Sequence, residues 1–186
     1  KYKITDVTSD VDLTQKMIDL THINSVYEDN NGNILISVRH YDEIALIDKS
    51  SGNFIWRMGR SKCVNNQFTF SNDATDNFYG FSHQHTAEIL PNGNILLFDN
   101  GNMKAPQYSR AVEYNINVAQ KTVSKVWEYR SNPDLYIHAM GSTKRLPNGN
   151  TLICWSKGLI SEVRSDKSIA MEVTYSQNIP VYRVNK

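Results

Sequence analysis

The chain has 186 residues, 40% of them hydrophobic, which is enough to bury the core of one or two ordinary domains. Its 20 basic and 19 acidic residues give a net charge of +1, so composition offers no electrostatic reason to expect nucleic acid or a membrane surface as a partner. No apolar run approaches the roughly 20 residues of a membrane-spanning helix. The sequence starts Lys1-Tyr2-Lys3, with neither a start methionine nor a signal peptide, so we expect a mature or truncated chain.

Three copies of one hairpin pattern divide the sequence. Each copy has a short alternating run, a turn containing Asn-Gly-Asn and then an apolar strand, and the turn glycines are Gly32, Gly93 and Gly149. An Asn-Gly pair between alternating runs is a strong hairpin signal, and we expect type I′ turns, in which both central residues take positive φ. The spacing of the three glycines is near the period of a four-stranded propeller blade with loop insertions.

Taken in order, the chain predicts three blades and their connections. Residues 1–20 fit either a strand or a short helix, and the pattern is too short to decide between them. The polar segment 59–80 is predicted to be a long loop. The blades are expected at 21–59, 82–130 and 138–175, and residues 176–186 are expected to supply a closing strand that contains Pro180 to Val184.

These elements predict an all-β fold, with residues 1–186 forming a single partial β-propeller domain of four-stranded antiparallel blades. A β-sandwich could use the same hairpins, but sandwiches do not usually repeat sequence at a fixed period. About three blades are too few to close a ring. We therefore expect a piece of a longer propeller, closed by further blades or by another copy of the chain.

The first strand of each blade lines the central channel of a propeller, so residues at the starts of these strands converge. A single histidine there is ordinarily a structural or surface residue, but clustering favours a functional role for His22 and His85. The structural interpretation remains favoured for His83, His138 and His40. Asn24 accompanies His22 on the first strand.

Two arginines could bind an anion in this channel. The forked guanidinium of Arg39 suits a tetrahedral oxyanion, and the alternative is a surface salt bridge with Asp42 or Glu43. For Arg110, in the second blade, we favour a structural role.

Metal binding is the competing use of clustered imidazoles. Two or three histidines with Asp99 or Asn100 could form a zinc or iron site, but compact His-x-x-x-His and paired-cysteine motifs are absent from the sequence, so we predict no metal. Cys63 and Cys154 also lack metal-ligand spacing. We interpret them as one loop thiol and one buried thiol, with a disulfide between them as the alternative.

Four segments, in a fixed order, carry a resemblance to a known family. They are Thr-His-Ile-Asn-Ser with Asn-Gly-Asn-Ile-Leu-Ile-Ser-Val-Arg (21–39), Gln-His-Thr-Ala with Leu-Pro-Asn-Gly-Asn-Ile-Leu-Leu-Phe-Asp-Asn-Gly (84–101), Ser-Arg-Ala-Val-Glu-Tyr (109–114) and Gly-Ser-Thr-Lys-Arg-Leu-Pro-Asn-Gly-Asn-Thr-Leu-Ile (141–153). They resemble the later blades of bacterial arylsulfate sulfotransferases. These are six-bladed propeller enzymes that transfer a sulfuryl group between phenols without a nucleotide sulfate donor.

The resemblance implies roles for four residues. His85 corresponds to the nucleophile, while His22, Asn24 and Arg39 correspond to the residues that hold the sulfuryl oxygens. The implied reaction is attack by neutral imidazole on sulfur, a sulfohistidine intermediate and ping-pong transfer to an acceptor phenol. It implies no metal or cofactor. A further histidine that the family draws from an earlier blade has no counterpart here.

The predicted function is therefore an arylsulfate sulfotransferase-like enzyme whose partners are a small-molecule aryl sulfate and a phenol. The resemblance implies a periplasmic or secreted location. The alternative is a non-catalytic secreted propeller that binds a ligand or a protein, which the incomplete blade count and the missing histidine motivate. A metal-dependent propeller hydrolase is a third hypothesis.

Overall fold

A computed structural model shows an all-β chain with three antiparallel four-strand meanders. It describes residues 1–60, 63–75, 78–177 and 179–186. In each meander the strands pair in sequence order, which confirms the predicted all-β class and the four-stranded antiparallel sheets. Closure of these sheets into a propeller stays a prediction. The described residues contain no helix with the length and hydrophobicity needed to cross a membrane.

The first and third meanders form separate four-stranded sheets. The first contains β1 (Ile23–Glu28), β2 (Ile34–Val38), β3 (Glu43–Ile47) and β4 (Phe54–Gly59), with a 3-10 helix at Arg39–Tyr41 between β2 and β3. The connecting segment, residues 60–84, joins the first and second meanders and contains β5 (Thr69–Phe70), β6 (Ala74–Thr75) and β7 (Phe78–Tyr79). The second meander contains β8 (His85–Ile89), β9 (Ile95–Asp99), β10 (Arg110–Asn117) and β11 (Thr122–Tyr129), and the third contains β12 (Ser142–Arg145), β13 (Thr151–Cys154), β14 (Leu159–Val163) and β15 (Ile169–Thr174).

The sequence predicts a loop at 59–80, and the structure corrects this. β5 adds to the outer edge of the second sheet by pairing in parallel with β11, and β6 and β7 form a small hairpin. These strands are only two residues long. They are too short to show the alternation by which a strand is recognised in a sequence.

The three Asn-Gly-Asn turns share one geometry, which differs from the predicted type I′. Gly32, Gly93 and Gly149 have φ of +81°, +82° and +85°, while the asparagine before each glycine is not among the residues with positive φ. The glycine N–H donates to the carbonyl three residues back, as in Gly32 to Asp29. This is a type I turn followed by one left-handed residue, so a single glycine is enough to reverse the chain.

The two ends of the chain also differ from the sequence prediction. Residues 1–20 form neither a strand nor an α-helix and contain one 3-10 turn, Ile4–Asp6. The expected closing strand at 176–186 is wrong for the described residues there, in which Pro180 makes only an isolated bridge to Lys157. The Val181 N–H also donates to the Ser156 carbonyl at 3.1 Å, but these contacts do not extend into a ladder within the described residues.

The hydrophobic core lies between successive sheets. One buried cluster joins the first and second meanders and includes Leu35, Trp56 and Leu97. Another joins the second and third meanders and centres on Phe98 and Trp155, whose rings are 5.7 Å apart in an edge-to-face arrangement. Packing on both faces of the middle sheet fixes the strand starts of all three sheets relative to one another.

Candidate functional site

The candidate site lies where the first strands of the three meanders meet, since β1 contacts β8 and β8 contacts β12. The structure brings the four residues predicted from sequence into one neighbourhood here. The rings of His22 and His85 are 6.5 Å apart. The side chain of Asn24 bonds to the residue before His85, and the charge of Arg39 acts on the imidazole of His85.

The hydrogen bonds of Asn100 fix the tautomer of His85. Asn100 Nδ2 donates to the carbonyls of Ile137 and Met140, at 2.7 and 2.9 Å, so Oδ1 is the atom that faces His85 Nδ1 at 2.8 Å. An amide oxygen only accepts, and therefore His85 Nδ1 carries the hydrogen. The lone pair is on Nε2, which accepts a bond of 3.2 Å from the backbone N–H of Met140.

His85 is neutral at physiological pH. It is 1% exposed, and its pKa is lowered to about 4. Burial is the largest cause; the hydrogen bond to Asn100 opposes it and the charge of Arg39 adds to it. Burial disfavours the charged form of an imidazole. The side chain can therefore act as a nucleophile without first losing a proton.

Arg39 and Asn24 each carry an unused polar atom beside His85. Arg39 is 9% exposed and its Nη2 donates to the His138 carbonyl at 3.2 Å, but its buried Nε has no partner among the described residues. The Nδ2 of Asn24 donates to the Gln84 carbonyl at 2.7 Å, and its Oδ1 is likewise buried and unpaired within the described structure. A buried polar atom without a partner is costly, so both atoms favour a bound polar group here.

The alternative of a surface salt bridge for Arg39 does not fit. Asp42 pairs with Arg60 and His83, and Glu43 binds Arg57 through two hydrogen bonds of 2.8 and 3.0 Å. Both carboxylates are thus committed to other cations. The guanidinium of Arg39 stays available to an anion.

His22 and His40 stand beside a carboxylate from the N-terminal segment. His22 Nδ1 pairs with Asp19, and His40 Nδ1 donates to the Asp19 carbonyl at 2.6 Å. Each of these three residues offers one potential ligand atom, and these atoms lie within 4.8 Å of one another. They could hold a metal ion, whereas Asp99, one of the two further ligands that the sequence offered, pairs with Lys104 and Arg110.

His83 has a structural role, as the sequence favoured. It is fully buried, its Nδ1 lies 2.9 Å from Asp42 and its Nε2 lies 2.6 Å from Asp10. Burial alone would lower the pKa of His83, but hydrogen bonds to Asp10 and Asp42 outweigh it and raise the pKa. Because both ring nitrogens face carboxylate oxygens, which only accept, both carry a hydrogen, and the resulting imidazolium ties the N-terminal segment to the first and second sheets.

Arg110 is also structural. Its guanidinium is 1% exposed and donates to the carboxylates of Asp99, Asp73 and Glu128. Removing one member of such a buried network would leave charges uncompensated. The network holds the start of β10 against the connecting segment and occupies the guanidinium of Arg110.

Several residues of the site are not identified from sequence. The sequence suggests Asn100 only as a metal ligand, although its place at the end of β9, in Asp-Asn-Gly, is a visible signal. The backbone of Met140 and the ring of Tyr182, whose centroid is 5.8 Å from that of His85, give no signal. Gln84 is also missed, and its Nε2 donates to the Glu43 carbonyl at 2.8 Å, which joins the start of β8 to the first sheet.

The cysteines agree with the sequence interpretation. Cys154 is buried in β13, Cys63 is half-buried in the connecting segment, and both are free thiols. Burial is the largest cause that raises the pKa of Cys63, to about 12. Neither thiol is activated for nucleophilic chemistry.

Comparison with solved structures supports the fold. A protein of unknown function from Bacteroides caccae aligns with 86% of this chain and 48% of its own chain, with a TM-score of 0.51 and 17% sequence identity. At this identity the likeness concerns the fold alone. It shows that the arrangement of the three sheets occurs within a longer chain.

Sequence comparisons identify the family. The chain is 33% identical over 88 residues to an arylsulfate sulfotransferase AssT from Lelliottia amnigena, which covers 43% of this chain and 13% of that protein. It is 43% identical over 54 residues to the AssT of Escherichia coli O6:H1, covering 25% of this chain and 9% of that protein. The chain thus matches a small part of each relative. A sequence profile of the Arylsulfotransferase (ASST) family matches residues 2–185, and the chain therefore belongs to the arylsulfotransferase family.

Proposed function

We propose that the chain forms the nucleophile-bearing part of an enzyme that moves a sulfuryl group from an aryl sulfate to a phenolic acceptor through a sulfohistidine on His85. The observation that carries this proposal is the state of His85, which is neutral and has its lone pair directed to Nε2 by Asn100. Membership of the arylsulfotransferase family supports the substrate class.

In the first half-reaction, His85 Nε2 attacks sulfur in line with the bond to the aryl oxygen. The N–S bond forms, the S–O bond breaks and a phenolate leaves. Positive charge develops on the imidazole, and the Nδ1–H bond to Asn100 Oδ1 disperses it. The bond from the Met140 N–H to Nε2 must open for this attack, and its length of 3.2 Å makes it a weak one.

Arg39, Asn24 and His22 bind the sulfuryl oxygens in this proposal. The unpaired Nε of Arg39 supplies a charged donor. The second N–H of Asn24 Nδ2, whose first N–H donates to the Gln84 carbonyl, and the imidazole of His22, held by Asp19, add directional contacts. Groups that are already oriented stabilise the charge that develops in the transition state at little reorganisation cost.

In the second half-reaction, an acceptor phenol attacks the sulfur of the sulfohistidine, so the O–S bond forms and the S–N bond breaks. The electron pair of that bond returns to Nε2, the phenolic proton passes to water, and neutral His85 is regenerated. The same imidazole thus serves first as nucleophile and then as leaving group, with neither a metal nor a nucleotide in the proposed cycle.

The proposal extends to the whole protein, because the chain matches only a small part of its curated relatives. We propose that further blades complete a six-bladed propeller around the site and supply the additional sulfuryl-binding histidine that is missing here. A periplasmic or secreted location is proposed on the same family grounds.

A non-catalytic binding propeller is the second candidate function. It is favoured by one observation, namely that His85 is almost fully buried and its Nε2 already accepts a hydrogen bond. In that case the unpaired Nε of Arg39 would donate to an anionic ligand without turnover.

The test is incubation of the full-length protein with a chromogenic aryl sulfate, with and without added phenol, followed by mass spectrometry. We expect phenol-dependent release of the chromophore and one SO3 adduct on the peptide that contains His85. His85→Asn should lose both, while His138→Gln, which alters an exposed histidine, should keep both. Turnover in folded His85→Asn, or neither release nor adduct in the folded wild type, would contradict the proposal and favour the binding propeller.

A further inference from the structure

We propose that Tyr182 is an internal acceptor, so that this chain sulfates its own C-terminal segment, residues 179–186. The inference rests on the proposed function, because it uses the sulfohistidine on His85 as the donor. The inference adds a modification site, Tyr182, and a second acceptor for the sulfuryl group.

The C-terminal segment is fastened along the third sheet. The backbone N–H of Val181 donates to the Ser156 carbonyl at 3.1 Å, and that of Val184 donates to Ser142 Oγ at 3.3 Å. The segment also lines one side of a cavity of about 150 Å³ that lies between β1, β8 and β12, through Arg183, Val184 and Asn185. The tail thus runs beside the inner strands and presents Tyr182 to the site.

Tyr182 places a phenol directly beside His85. Its ring meets that of His85 edge to face, with centroids 5.8 Å apart and an angle of 71° between the planes. Its hydroxyl donates to the backbone carbonyl of Asn24 at 3.1 Å, so the phenolic oxygen lies beside a residue proposed to bind the sulfuryl group. With its hydrogen directed to that carbonyl, the oxygen keeps its lone pairs for attack.

The transfer step is balanced without another reactant. The Tyr182 oxygen attacks sulfur, the S–O bond forms, the S–N bond to His85 breaks, and the electron pair of that bond returns to Nε2. Tyr182 is 41% exposed, so the phenolic proton passes to water. The starting sulfuryl group comes from the aryl sulfate of the first half-reaction.

Small phenols should outcompete Tyr182. Burial of part of the ring raises the pKa of Tyr182. A less acidic phenol gives up its proton less readily in the transition state. We expect self-sulfation to occur once per chain when no acceptor phenol is added, and to decrease as phenol is added.

The experiment treats the full-length protein with an aryl sulfate alone and maps SO3 on the tryptic peptides. Trypsin separates the His85 peptide (63–104) from the Tyr182 peptide (168–183). We compare wild type with Tyr182→Phe and with the control Tyr136→Phe, which removes another exposed phenol near Arg39.

We expect SO3 on peptide 168–183 in the wild type and in Tyr136→Phe, and its loss in Tyr182→Phe. The adduct on His85 should also last longer in Tyr182→Phe, because its internal acceptor is gone. The inference is overturned if His85 is sulfated but peptide 168–183 is not, or if that peptide is still sulfated in Tyr182→Phe or His85→Asn. Absence of SO3 from both peptides in the wild type overturns the proposed function as well.

Discussion

Gly141 lets the backbone pack closely against the ring of Phe98 beside the site, and replacing it with alanine should lower the free energy of unfolding. Its φ is +92°, and a Cβ there would lie 2.5 Å from Phe98 Cε1. Phe98 cannot yield easily, because it is fully buried and packs on Trp155 at 5.7 Å. Gly149 is a matched control, since its φ is +85° and nothing lies within 4 Å of the place that a Cβ would take there.

The two variants separate backbone strain from steric overlap. Both Gly141→Ala and Gly149→Ala bear the cost of a positive φ, about 1–3 kcal/mol. Only Gly141→Ala adds overpacking, about 1–3 kcal/mol more. Urea denaturation should therefore show a free energy of unfolding lower for Gly141→Ala than for Gly149→Ala by about 1–3 kcal/mol. Equal losses in the two variants would refute the clash with Phe98.

Two further predictions concern His85. Asn100→Ala removes the amide oxygen that faces His85 Nδ1, leaving the His83 carbonyl at 3.1 Å, and it removes the donor to the carbonyls of Ile137 and Met140. We therefore expect a loss of about 2–4 kcal/mol in unfolding free energy and a decrease of about 10–100-fold in sulfuryl transfer, measured as kcat/KM. Unchanged kcat/KM would contradict the positioning role. The pKa of His85 is lowered to about 4 in the folded chain, from a value near 6.5 in the unfolded chain, so the unfolded chain binds the proton first as pH falls. The difference in unfolding free energy between wild type and His85→Asn should therefore decrease between pH 6.5 and 4, by up to about 3 kcal/mol. A constant difference would show that His85 is not buried in its neutral form.

The strands were predictable because their signals are local. Alternating apolar residues and the glycines of the three turns lie within a few positions of one another, and they specify hairpins regardless of the rest of the chain. The turn type was not predictable in the same way. Type I′ turns and type I turns with a following left-handed glycine both accept Asn-Gly, so the backbone geometry had to be observed.

The candidate site was predictable only as far as the repeat extended. His22, Asn24 and His85 occupy the starts of equivalent strands, so the repeat alone predicts that they converge. Asp19 and Tyr182 lie in the irregular segments at the two ends of the chain, where no period indicates what they contact. Their contacts with the site come from tertiary packing of non-repeating segments, which a pattern of spacing does not encode.

The two neighbouring histidines show why position alone does not assign a role. His83 and His85 are both buried, and burial disfavours the charge on each imidazole. At His83 the carboxylates of Asp10 and Asp42 reverse that effect and raise the pKa, which favours a structural cation. At His85 the partner is the neutral amide of Asn100, so burial prevails and the imidazole stays uncharged. The chemical difference between a fixed cation and a neutral imidazole, which the proposed nucleophile requires, thus follows from the partners of each ring.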